Sequence, residues 1–211
     1  MKFSTVAVFL FILISVTSIA QSFEGKVNYQ NTFKSKIPNV TDDMLTQMMG
    51  TSLDYTMKEG NYKTTSNGTF LLWQLYVQDD NKLYTKFANS NSIFWNDGAE
   101  NKDEVIKSEL NKNALEILGH KCDELVLTCK SGVQKYYFTS KFKLDPKLFE
   151  NHKFGNFYDY VIKSKAVPLK IIIDNVQFSM ESVATSVDTK KIEDAIFRLP
   201  DGAVLEKNPY N

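Results

Sequence analysis

Two cysteines, two histidines and a single arginine, Arg198, are all that 211 residues supply of the side chains that most often carry chemistry. A metal centre needs three or four ligands converging on one point, so this inventory leaves almost no set to choose from. Two cysteines also exclude the dense disulfide framework of small secreted scaffolds. Phosphate recognition favours arginine's planar fork, and one arginine argues against a phosphate-handling enzyme. The charge balance, 25 basic against 25 acidic residues, gives no electrostatic footprint for nucleic acid. The chain has no run of basic residues of the kind that binds anionic membranes. No internal repeat and no Gly/Ser/Pro-rich linker divides it. Catalytic motifs are missing too, with no G-x-S-x-G, no H-E-x-x-H and no Gly-rich phosphate loop.

What is present begins with MKFSTVAVFLFILISVTSIA. Lys2 forms a short positive region, Val6 to Ile14 an apolar core, and Ser18-Ile19-Ala20 a small-residue exit. That is the layout of a secretory signal peptide cleaved after Ala20, and its core is too short for a membrane span. The expectation is a signal segment 1–20 and a single domain 21–211, periplasmic or secreted, with no transmembrane span in the mature protein. Removing Lys2 leaves 24 basic and 25 acidic residues.

The mature chain reads as strands. Phe23, Gly25, Val27 and Tyr29 alternate with Glu24, Lys26, Asn28 and Gln30, the period-two pattern of a strand with one wet face. A short helix follows Pro38: Thr41 caps it, Asp42 and Asp43 suit its positive end, Met44, Leu45, Met48 and Met49 form its apolar face, and Gly50 ends it. Strands are expected over 52–58, 62–66, 69–78, 82–87 and 92–95, with Asn67-Gly68 the strongest hairpin signal. The segment 100–118 is ambiguous between a charged helix and a strand near 103–109. Strands 125–129 and 134–140 come next, then one or two short helices over 146–163, closed by Pro168. Strands 169–178 and 180–187 and a C-terminal turn around Phe197 and Pro200 end the chain. About ten antiparallel strands with two helical insertions make a mainly β (α+β) fold: a curved sheet or incomplete barrel with short helices on its concave face.

"LGHKCDELVLTCKSG" raises the question of a thiol site. As one extended strand, Cys122 and Cys129 lie about 23 Å apart, far beyond the roughly 7 Å that a disulfide tolerates. Their odd separation turns them to opposite faces, so His120 and Cys122 cannot be joined by Cys129. Cys129 shares its face with Leu125 and Leu127 as a small buried hydrophobe, and Cys122 reads as a packed thiol. His152, between Asn151 and Lys153, reads as part of a solvated loop. No catalytic residue, metal ligand or cofactor is assigned.

The apolar stripes are either filled core or a greasy pocket. Leu71, Trp73, Leu75 and Val77 form one wholly apolar face of their strand, and Ile171 lines one face of another. With the Met44/Met48 helix as an adaptable cover, these seven residues are the candidate ligand-binding set.

Several stretches, FEGKVNY, FWNDG, ILGHKC, YYFTSKFKLDPKLFENHKFGN, VPLKIII and AIFRLPDG, resemble a group of exported bacterial proteins associated with the LolA-like superfamily of periplasmic lipoprotein carriers. The resemblance implies an unclosed antiparallel half-barrel whose hydrophobic concave face is plugged by helices. It implies a lipid or lipoprotein acyl chain as ligand, and no catalytic residues. The expected function is an exported, non-enzymatic binding module for an acyl-type ligand, acting as a monomer. The alternative is a structural or protein-interaction module with a filled core.

Overall fold

The computed structural model describes residues 22–209, so the expected signal segment lies outside the described residues. The chain opens with β1 (Gly25–Ser35) and α1 (Asp42–Met49), followed by the meander β2 (Ser52–Lys58), β3 (Asn61–Ser66), β4 (Leu71–Val77), β5 (Lys82–Phe87) and β6 (Ile93–Asp97). A second run comprises β7 (Val105–Ile117), β8 (His120–Cys129) and β9 (Gly132–Lys143). It continues through 3-10 turns at Pro146–Phe149 and Phe154–Asn156 into α2 (Phe157–Ser164), β10 (Ala166–Asn175) and β11 (Phe178–Asp188). A 3-10 turn at Asp194–Phe197 and β12 (Leu205–Lys207) end it.

Among the described residues twelve strands join one open, curved sheet in the order β12-β6-β5-β4-β3-β2-β1-β11-β10-β9-β8-β7. The expected architecture is therefore present, with twelve strands in place of about ten. The ambiguous segment is strand β7, longer than the stretch 103–109 expected. Its side chains are almost all exposed because it is an edge strand with one neighbour.

Helix α1 forms as its sequence dictates. Thr41 Oγ1 accepts from Met44 N at 3.1 Å, Asp42 and Asp43 occupy the first turn, and Gly50 ends it with φ +91°. Asn67-Gly68, in contrast, is no tight hairpin. Residues 67–70 leave the β3–β4 ladder to satisfy the orphan carbonyls of α1: Thr69 N and Phe70 N donate to Gln47 O and Met48 O at 2.9 and 3.0 Å. A Cβ at Gly68 would collide with that helix end, so the glycine serves this close approach.

Pro168 lies inside β10, between two register shifts. A residue without an N–H interrupts the ladder, and a bulged site absorbs the defect. Phe178, expected at the end of one strand, begins β11. The parallel strand β12, paired with β6, had no expected counterpart.

Two cores result. The larger packs α2 and the turns before it onto one face of the sheet, the concave face. The smaller lies on the opposite face of β4–β6, where Ile192 and Phe197 bury Leu75, Tyr84 and Ile93. Lys58 fastens this C-terminal segment: its Nζ donates to Asp194 Oδ1 at 2.6 Å and to Ile192 O at 3.0 Å. Glu24 Oε1 accepts from Ile192 N at 2.7 Å.

Candidate functional site: the concave floor

Cross-strand register defines what lines the concave face. One row runs Leu53, Tyr29, Ala184; the next runs Asn31, Ser182, Ile171, Tyr136, Leu125; a third runs Phe33, Met180, Ile173, Gln134, Leu127. Leu125 and Leu127 are sealed, with α2 packed over β8. Tyr136 stacks on Tyr160 of α2 at 4.2 Å between ring centroids. Leu53, Ile171, Ile173 and Met180, nearer β1, are only half-buried.

At the β1 side of this face lies α1, which packs on β1 and buries a single side chain, Leu45. Asn31 touches its end, with Nδ2 donating to Gly50 O at 3.4 Å. Asn31 is 4 % exposed, and its Oδ1 has no hydrogen-bond partner among the described residues. A buried amide oxygen left unpaired costs free energy that a bound donor would recover. The floor thus offers aliphatic contacts beside one unpaired acceptor, with α1 along its β1 side.

The candidate residues do not converge on this floor. Ile171 lies on it. Trp73, Leu75 and Val77 point to the opposite face and pack with Ile192, Phe197, Leu199 and Ala203. The reason is register: Tyr62 pairs with Tyr76, and it is Tyr76 and Gln74, one residue out of phase, that face the concave side. Leu71 sits beside a bulge opposite Phe87, outside both cores. Met44 and Met48 remain 47 % and 37 % exposed, so they form no seal over the strand they were expected to cover.

His152 is a second correction. It is fully buried, stacked on Tyr76 at 3.9 Å and on Phe157 at 4.6 Å, with Nε2 2.8 Å from Tyr62 Oη. Nδ1 has no partner among the described residues, and burial pulls the imidazole pKa down to about 3. The ring is neutral and lodged in an aromatic nest. The available signal was spacing: His152 follows buried Phe149 by three residues, one turn of a 3-10 helix.

Both thiols are free and buried, on one strand as expected. Cys129 lies in the concave row after Leu125 and Leu127. Burial pushes its thiol up to about 11, and Asn156 Nδ2 donates to its Sγ at 3.3 Å. Cys122 is 0 % exposed, and burial raises its pKa as well. Raised pKa values are those of packed thiols and not of nucleophiles. Among the described residues no group of three His, Cys, Asp or Glu side chains is arranged to hold a metal, and no helix is long and apolar enough to cross a membrane.

No family model matches the sequence, and no curated protein matches it. Among solved structures, the chain is similar to the LolA superfamily protein NE2245 from Nitrosomonas europaea, at 10 % sequence identity and a TM-score of 0.37, over 85 % of this chain and 91 % of that one.

Proposed function

We propose that the protein is an exported, non-enzymatic binding module whose concave floor takes an acyl-type chain. One observation carries the reading: the aliphatic side chains of Leu53, Ile171, Ile173 and Met180 are only half-buried on the concave face, around a buried Asn31 whose Oδ1 has no partner among the described residues. The chain would lie along these aliphatic side chains, and an N–H beside it, such as the amide of an N-acyl group, would donate to Asn31 Oδ1. Export rests on the signal-like residues 1–20, and the ligand class accords with the sequence resemblance.

The test is mass spectrometry of solvent extracts from protein purified out of its native envelope, wild type beside Ile173→Glu. Ile173 is half-buried, so a glutamate there can reach water while placing charge on the floor. The expected result is acyl-bearing material from wild type and little from a variant that stays folded. Extracts empty in both overturn the reading. Met48→Glu should leave the fold intact under either reading because Met48 is exposed, so only its effect on ligand retention is informative.

A further inference from the structure

The lysines, scattered in sequence, gather in space. Around the last residues of β9 three grooves adjoin one another, sharing Ser140, Lys143 and Ser164. The first, about 450 Å³, carries Lys141, Lys143, Lys190 and Lys191 over a floor of Phe23 and Phe142. The second adds Lys147 and Lys165, the third Lys112, Lys121 and Lys163. Nine lysines thus line these grooves against three carboxylates, with Asp188 beside Lys190 and Glu116 opposite Lys121 at their margin, in a chain whose net charge is zero.

All nine are exposed, whereas the three carboxylates are partly buried and occupied. Glu24 accepts from Ile192 N, Asp145 from Lys147 N, and Asp123 from Asn113 N and Lys112 Nζ. Only Lys112 and Lys190 have an ion-pair partner among the described residues. Exposed apolar side chains are interleaved with them: Leu110 in the third groove at 48 %, Leu118 on the β7–β8 turn at 44 %, and Ile162 beside Lys163 at 39 %.

We propose that this pole docks the protein onto an anionic lipid bilayer. Compact ammonium charges on flexible stems suit a diffuse layer of phosphates and do not need the bidentate geometry that arginine supplies. Protruding leucines and an isoleucine fit a partner with an apolar interior beneath its charge, which a nucleic acid lacks. Each lysine near such a surface contributes roughly a fivefold gain in partitioning, weakening with salt. The inference stands whether or not the concave floor holds an acyl chain.

Co-sedimentation with vesicles tests it, using phosphatidylcholine alone and an equimolar mixture with phosphatidylglycerol. The protein should bind only the mixture, and salt should release it. Lys141→Gln/Lys143→Gln/Lys165→Gln should lower partitioning roughly a hundredfold. The control Lys34→Gln/Lys102→Gln/Lys130→Gln removes the same charge from the opposite ends of the strands and should change it little. Circular dichroism confirms that both variants fold. Equal loss in the control, equal binding to neutral vesicles, or preference for a short DNA duplex over vesicles would overturn the proposal.

Discussion

His152 should make the protein acid-sensitive in a defined window. Its imidazole titrates near 3 when folded, against 6.5 when free. Below 6.5 the unfolded chain therefore binds a proton that the folded chain refuses, so stability falls as pH drops towards 3 and levels off beneath it. At about 1.4 kcal/mol per unit, acidification to pH 4 costs about 3 kcal/mol, a large share of a typical domain's stability. His152→Phe keeps the ring stack on Tyr76 and Phe157 but leaves Tyr62 Oη without its nitrogen partner, costing about 1–3 kcal/mol at neutral pH. The variant should thus be the weaker protein near pH 7 and the equal or stronger one near pH 4. Urea midpoints of both proteins across that range are the assay, because the carboxylates titrate identically in each and cancel. Parallel curves for the two would refute the assignment of a buried, neutral imidazole.

Two further outcomes follow from the cores. Thiol titration without reductant should find two thiols per chain, reacting only after denaturation; Cys129→Ser should cost about 1–3 kcal/mol by burying a hydroxyl, and a 122–129 bridge in peptide mapping would contradict the strand. Phe197→Ala should cost about 3–5 kcal/mol and shift tryptophan emission to the red, since Trp73 and Trp95 both pack in the small outer core; unchanged emission would count against that placement.

Local chemistry made α1 readable: a threonine cap, two aspartates and a terminal glycine act within one turn of the elements they specify. The period-two pattern likewise gave β1 and the strand joining the cysteines. β4 defeated the same logic because both of its faces are largely apolar, with Gln74 the one amide among them. The out-of-phase Tyr76 faces Tyr62 and His152, while Leu75 faces a segment nearly 120 residues later, at Ile192. No periodicity says which of two greasy faces turns inward when a distant segment covers the other. Asn67-Gly68 misled for a related reason, since its backbone serves a helix end and not a ladder. The lysine pole was invisible to a search for basic runs because folding assembles it from β7 to the residues after β11.

The strand order carries a consequence for biogenesis. β2 to β6 and β7 to β10 are runs of near neighbours, but β1 pairs with β11 across at least 143 residues, the separation of Ser35 from Phe178. A chain emerging amino-terminus first can zip β1 onto β2 early, yet the other edge of β1 stays bare until almost the last strand appears. During that interval Val27, Tyr29 and Phe33, all buried in the finished sheet, stand beside an unsatisfied row of backbone donors and acceptors. Such an edge invites pairing with another nascent chain. The carboxy-terminal sixth of the sequence is therefore a condition for solubility of the first strand, and premature termination before residue 178 should yield aggregate instead of a half-sized sheet.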